Sequence, residues 1–147
     1  MNPNIKPSEQ IAVLAVKDPV SQAAATITTD WLPMADTGAI LAVVQTGVLG
    51  AAATVDAKLE QATSVAGAGA KDITGKAITQ LVKANNDNDQ AAINCRADEL
   101  DVNGGFNHVR LSITVGAAAS LISAMVLGFY GRYQPVDHVA SVVEVVE

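Results

Sequence analysis

Asp56 and Glu60 are the carboxylates whose spacing most invites a chemical reading in this 147-residue chain. Two acids flanking a glycosidic bond serve as general acid and as base or nucleophile. Here Lys58 lies between them in TVDAKLEQ (residues 54–61). In an alternating strand all three share one face, so the ammonium pairs with the acids and the run reads as a solvated charge ladder. Residues 63–76, TSVAGAGAKDITGK, come nearest to a nucleotide motif. A phosphate loop needs G-x-x-x-x-G-K-[ST], so that backbone amides cradle the phosphates and a hydroxyl reaches magnesium. Five residues separate Gly69 from Gly75, Ala77 follows Lys76, and Gly67 and Gly69 lack the third glycine of a dinucleotide fingerprint. The stretch reads as a flexible connection. Residues 85–89, NNDND, resemble the start of a calcium loop but lack its glycine at position six and its glutamate at position twelve, which leaves a turn.

Cys95 is the one cysteine, so neither an internal disulfide nor a thiolate metal cluster can form. Within AAINCRA it reads as a small buried thiol. His108 and His138 have no acid or hydroxyl companions at motif spacing, and neither a G-x-S-x-G elbow nor an H-E-x-x-H or C-x-x-C pair occurs. No catalytic, cofactor-binding or metal-ligating residue emerges, and the chain reads as a non-enzyme.

Composition bounds the alternatives. Half of the residues are hydrophobic but only 3% are aromatic, so the core is built from Ala, Val, Ile and Leu. Charged residues make up 16%, against roughly 25% in an average soluble protein. So few charges imply surface hidden against partner subunits. The net charge of −6 and the lack of a basic cluster argue against nucleic acid. The first ten residues lack the basic and apolar regions of a secretory signal. Residues 37–55 and 111–131 carry no charge and are long enough for membrane helices. Their dilution by Gly, Ala, Ser and Thr favours strands over a membrane hairpin, so no membrane is expected.

The elements organise around residues 102–116. Asn103, Gly104 and Gly105 make a tight turn, and Val109, Leu111, Ile113 and Val115 then alternate with Arg110, Ser112 and Thr114. That is a strand with one dry and one wet face. Residues 54–61 repeat the pattern. Residues 39–46 are apolar on both sides and read as a central strand. Residues 119–130, equally apolar, fit a helix or a strand packed between layers, and as a strand they join the one before by a hairpin across 116–118. Further strands are expected at 11–16 (stopped by Asp18 and Pro19), 25–30, 77–82 and 90–97. Trp31 anchors a core corner.

Short strands at intervals of roughly ten residues predict an all-β fold, a single β-sandwich or jelly-roll domain with extended N- and C-terminal arms. Residues 1–24 form the N-terminal arm, 25–134 the domain and 135–147 the C-terminal arm. Residues 139–146, VASVVEVV, are a second exposed apolar strand. The two arms suggest strand exchange between subunits through Ile11, Val13, Leu14, Val16, Val139, Val142, Val143 and Val145. Deleting residues 1–16 is expected to leave the domain folded.

Three segments carry a family resemblance: ATVDAKLEQA (53–62), DITGKAITQL (72–81) and VRLSITVG (109–116). Together they resemble small β-sandwich virion proteins of tailed bacteriophages, which share T-V-D-x-K-L-Q, D-I-x-G and R-x-x-x-T-V-G strands. The resemblance spans residues 39–133 and departs at Glu60, where a neutral residue is usual, and in the tryptophan missing from the D-I strand. It implies a virion part made in the bacterial cytoplasm, a capsid cement or decoration protein without cofactors. Its partners would be itself, as a trimer, and the major capsid protein or another neighbouring virion protein. A head–tail connector or tail component is the alternative, followed by a carbohydrate-binding module or a small membrane protein.

Overall fold

A computed structural model describes residues 4–146. After one helical turn, α1 (Pro7–Gln10), the chain forms β1 (Ile11–Gln22), β2 (Ala25–Thr28), β3 (Leu32–Pro33), β4 (Thr37–Thr46) and β5 (Thr54–Ala62). It continues through β6 (Lys71–Ala77), β7 (Leu81–Val82), β8 (Gln90–Arg96), β9 (His108–Gly116) and β10 (Ser120–Gly131). One sheet has the order β1-β10-β4-β8 and the other β2-β9-β5-β6, with β3 on β9 and β7 on β5. Every pairing is antiparallel. Most successive long strands change sheets, and this interleaved order is that of a jelly roll. The expected all-β sandwich is the fold.

Alternation places the core. Val109, Leu111, Ile113 and Val115 of β9 meet Val55, Ala57 and Leu59 of β5 on one inner face. Ile40, Ala42 and Val44 of β4 and Ile122, Ala124 and Val126 of β10 supply the other. All are at most 4% exposed, and branched aliphatics on facing pleats give a dry layer without aromatic bulk.

Several local expectations change. The hairpin from 109–115 to 119–130 does not form, because β9 already has β2 and β5 on its two edges. Its chain therefore turns at Ala117, with a positive φ of 65°, and crosses to the other sheet. The strand expected at 77–82 is split. Lys71–Ala77 is β6, drawn from what reads as a loop, and only Leu81–Val82 follows. Ile73 is the one buried hydrophobic residue of β6, so no alternation announces the strand.

β1 does not stop at Asp18 and Pro19. Register shifts between Val13 and Ala15 and between Lys17 and Val20 absorb the extra residues, and an edge strand tolerates the missing proline N–H. Most of the segment expected as an N-terminal arm thus runs along β10 within the sandwich, with Ala12 and Ala15 buried. Residues 139–146 form no strand in this chain.

Candidate interaction surface

The two outer faces differ in chemistry. On the β9–β5 face the expected charge ladder is complete. Lys58 Nζ lies 2.7 Å from Asp72 Oδ1 and 3.3 Å from Glu60 Oε1. Arg110 Nε donates to Glu60 Oε2 at 2.7 Å, and Gln80 Nε2 donates to Asp56 Oδ2 at 2.8 Å. Both acids of the sequence pair are engaged by neighbours. The Asp72 carboxylate is the main cause that raises the Lys58 ammonium above its ordinary value. Arg110 also stacks on Trp31, 4.5 Å from the ring centroid. A Cβ at Gly67 would come within 2.5 Å of Trp31 Nε1, so the loop after β5 closes over the indole edge.

The other sequence candidates have structural partners. Amides of the Gly-rich loop bond within the loop, Thr63 N–H to Ala68 O and Gly67 N–H to Ser64 O. Asp87 accepts from Leu49 N–H at 2.9 Å and pairs with Lys83, which holds its carboxyl below the ordinary value, Lys83 being the larger cause. Asn86 accepts from Val82 N–H at 3.0 Å. The 85–89 loop is a braced turn. Cys95 faces the core, and burial pushes its thiol up to about 11. His108 contacts Asn107 Oδ1 at 2.6 Å. Among the described residues, no three His, Cys, Asp or Glu side chains are placed to hold a metal, and no helix is long and apolar enough to cross a membrane.

The outer face of β1-β10-β4-β8 is of another kind. Register stacks its side chains in rows: Ile11, Phe129, Ala39 and Arg96; Val13, Leu127, Leu41 and Asn94; Val16, Met125, Val43 and Ala92. Ser123, Gln45 and Gln90 follow, and Leu121 closes the end. Leu121 and Met125 protrude, 46% and 40% exposed, and the aliphatics around them are half-buried. Arg96 is the one charge in these rows, and Asp98 pairs with it at 2.9 Å. A hollow of about 370 Å³ lies at the far end, between Ala39, Leu41, Asn94, Phe129 and Tyr130.

The structure brings the two sets of predicted interface residues together at one point. Val13 N–H donates to His138 Nδ1 at 3.1 Å, and Val139 N–H donates to Val13 O at 2.7 Å. With Nδ1 accepting, Nε2 carries the proton and donates to Ser8 O at 3.3 Å. The C-terminal segment is thereby tied to the free edge of β1. Ile11, Val13 and Val16 point to the apolar outer face. Leu14, at the register shift, packs on Gly128, where a Cβ would meet its Cδ1 at 2.7 Å. Val142 lies just past the tie, its N–H on Val139 O. Beyond it Val143 is 95% and Val146 86% exposed, with Val145 also exposed. Sequence reasoning missed Leu41, Val43, Leu121, Met125, Leu127 and Phe129. Their signal is a strand apolar on both sides, which is also the pattern of a strand buried between layers.

No family model matches the chain, and no curated protein matches it. Among solved structures it is similar to a chain of the Bacillus endospore appendages, described as forming a novel family of disulfide-linked pili. The identity is 13%, the match covers 89% of this chain and 100% of that one, and the TM-score is 0.37. A likeness of that size carries no argument about function.

Proposed function

We propose that this chain is a non-enzymatic structural protein of a bacteriophage virion, a capsid cement or decoration protein that self-associates and clamps neighbouring capsid subunits. The tail carries the reading. Beyond its tie at Val13 it leaves the domain with Val143 and Val146 almost fully exposed. A β-branched run left uncovered by its own fold is a strand in search of a sheet edge. Jelly rolls recur in viral capsid domains, a fold-level analogy in keeping with this role, and the virion-like strand patterns fall on β5, β6, β7 and β9. Burying the tail on a neighbour contributes roughly 25 cal/mol per Å² of apolar surface, repeated over many copies.

The test is a mass-calibrated gel of purified particles, with copy number set against the major shell protein. Hundreds of copies are expected for decoration. About a dozen would place the chain at a connector or tail ring, by the logic of closed symmetry. Absence from particles, or shell binding undiminished after removal of residues 140–147, would overturn the clamp.

A further inference from the structure

We infer that the apolar outer face of the β1-β10-β4-β8 sheet is a two-fold self-contact, covered by the identical face of a second copy of this chain. This deepens the proposed assembly role by naming the surface through which copies meet, and rests on that role only for its purpose.

Three observations select a second copy. The first is charge. Each chain carries a net −6, so two copies repel unless the surfaces that meet bring no carboxylates together. The opposite face carries Asp56, Glu60 and Asp72, whereas the apolar rows hold no acid, Arg96 is already paired with Asp98, and Lys17 borders them at the β1 edge beside Val43 and Met125.

The second is area. Four strands at about 4.8 Å spacing span roughly 19 Å, and the nine positions from Leu121 to Phe129 rise about 30 Å. Two faces of that size bury about 1,100 Å², which clears the ~1,000 Å² expected of a biological interface.

The third is shape. Leu121 protrudes at one end of the face and Met125 at its centre, and the hollow beside Phe129 and Tyr130 lies at the other end. A two-fold axis lying between the sheets and perpendicular to the strands reverses their direction. It therefore seats each copy's Leu121 toward its partner's hollow and brings the two Met125 side chains together near the axis, the reciprocal contact that an isologous interface requires. Sheets packed this way stand about 10 Å apart with interdigitated side chains.

The experiment is light scattering and sedimentation of the full chain from about 1 to 100 μM. A dimer is expected, and it should persist in about 1 M salt, because an apolar contact is not screened. Met125→Glu and, separately, Leu121→Glu should each weaken it by roughly thirtyfold or more, the scale of losing an interface anchor. Both side chains point outward, so the variants should keep the far-UV spectrum and melting temperature of the monomeric fold. Thr26→Glu, on the polar face, should leave the dimer intact.

A wild-type chain that stays monomeric throughout, or a dimer indifferent to both outward substitutions, overturns the inference. So does a monomer whose particle binding is abolished by Met125→Glu, which would assign the face to a shell protein. Absence of the chain from particles would remove the virion role and leave this contact standing.

Discussion

Ile113 and Thr114 are neighbours on β9, and the structure predicts opposite consequences for truncating them. Ile113 points into the sandwich and is 1% exposed. Ile113→Ala removes three buried carbon groups, about 2.4 kcal/mol of transfer at ~0.8 kcal/mol each. Leu111, Val115 and Ala57 sit on a rigid pleat and cannot fully collapse into the gap. A residual cavity near 60 Å³ adds about 1.5 kcal/mol at ~24 cal/mol per Å³. The sum, about 4 kcal/mol, lowers the melting temperature of a chain this size by roughly 8–16 °C.

Thr114 points outward, and its hydroxyl meets that of Thr26 at 2.8 Å in an exposed position. Thr114→Ala should stay within about 0.5 kcal/mol, or under about 2 °C. Thermal circular dichroism at one protein concentration reads the contrast, and urea titration with an unchanged slope shows that the difference lies in stability. Comparable losses at the two positions, or a shift below about 3 °C for Ile113→Ala, would refute the inward–outward assignment on which the core depends.

Acid should destabilise the fold in a defined window. Lys83, Lys76 and Lys71 hold the carboxyls of Asp87, Glu99 and Asp101 below their ordinary values, with help from the Leu49, Arg96 and Gly104 amides. The unfolded chain takes up these protons near pH 4 while the folded chain resists, so stability is full above about pH 5 and falls as pH drops further. Melting temperatures from pH 7 to 3 check this, and a flat profile below pH 5 refutes it. Deleting residues 1–16 should abolish cooperative unfolding, because it removes Ala12 and Ala15 from the core and uncovers an edge of β10. Deleting 140–147 should move the melting temperature by less than about 2 °C. Circular dichroism separates the two, and a cooperative melt in the first would show β1 to be dispensable. Cys95, with its thiol raised to about 11 and no exposed surface, should resist iodoacetamide at pH 8 in the folded protein and react once urea unfolds it. Rapid labelling of the folded chain would place the thiol outside the core.

Period-two patterning made the sandwich legible wherever one face of a strand is wet. β5 and β9 declare themselves because Asp56, Lys58, Glu60 and Arg110 alternate with aliphatics, and their outer face proved to be the charge ladder that the spacing implies. Patterning fails where neither face is wet. In β4 and β10 the outward Leu41, Val43, Met125 and Leu127 are as apolar as the inward Ile40, Ala42, Ala124 and Val126, so sequence alone reports burial on both sides. The chain folds with only one side covered. β6 fails for the opposite reason, with Ile73 its single buried anchor. Connectivity was illegible for a third reason: whether Gly116–Ala117–Ala118 makes a hairpin depends on whether β9 has a free edge. That edge is taken by β5, more than fifty residues earlier in the chain. Two adjacent strands that read as buried on both faces and are covered on one leave their apolar residues on the same outer face, the face we propose as the self-contact.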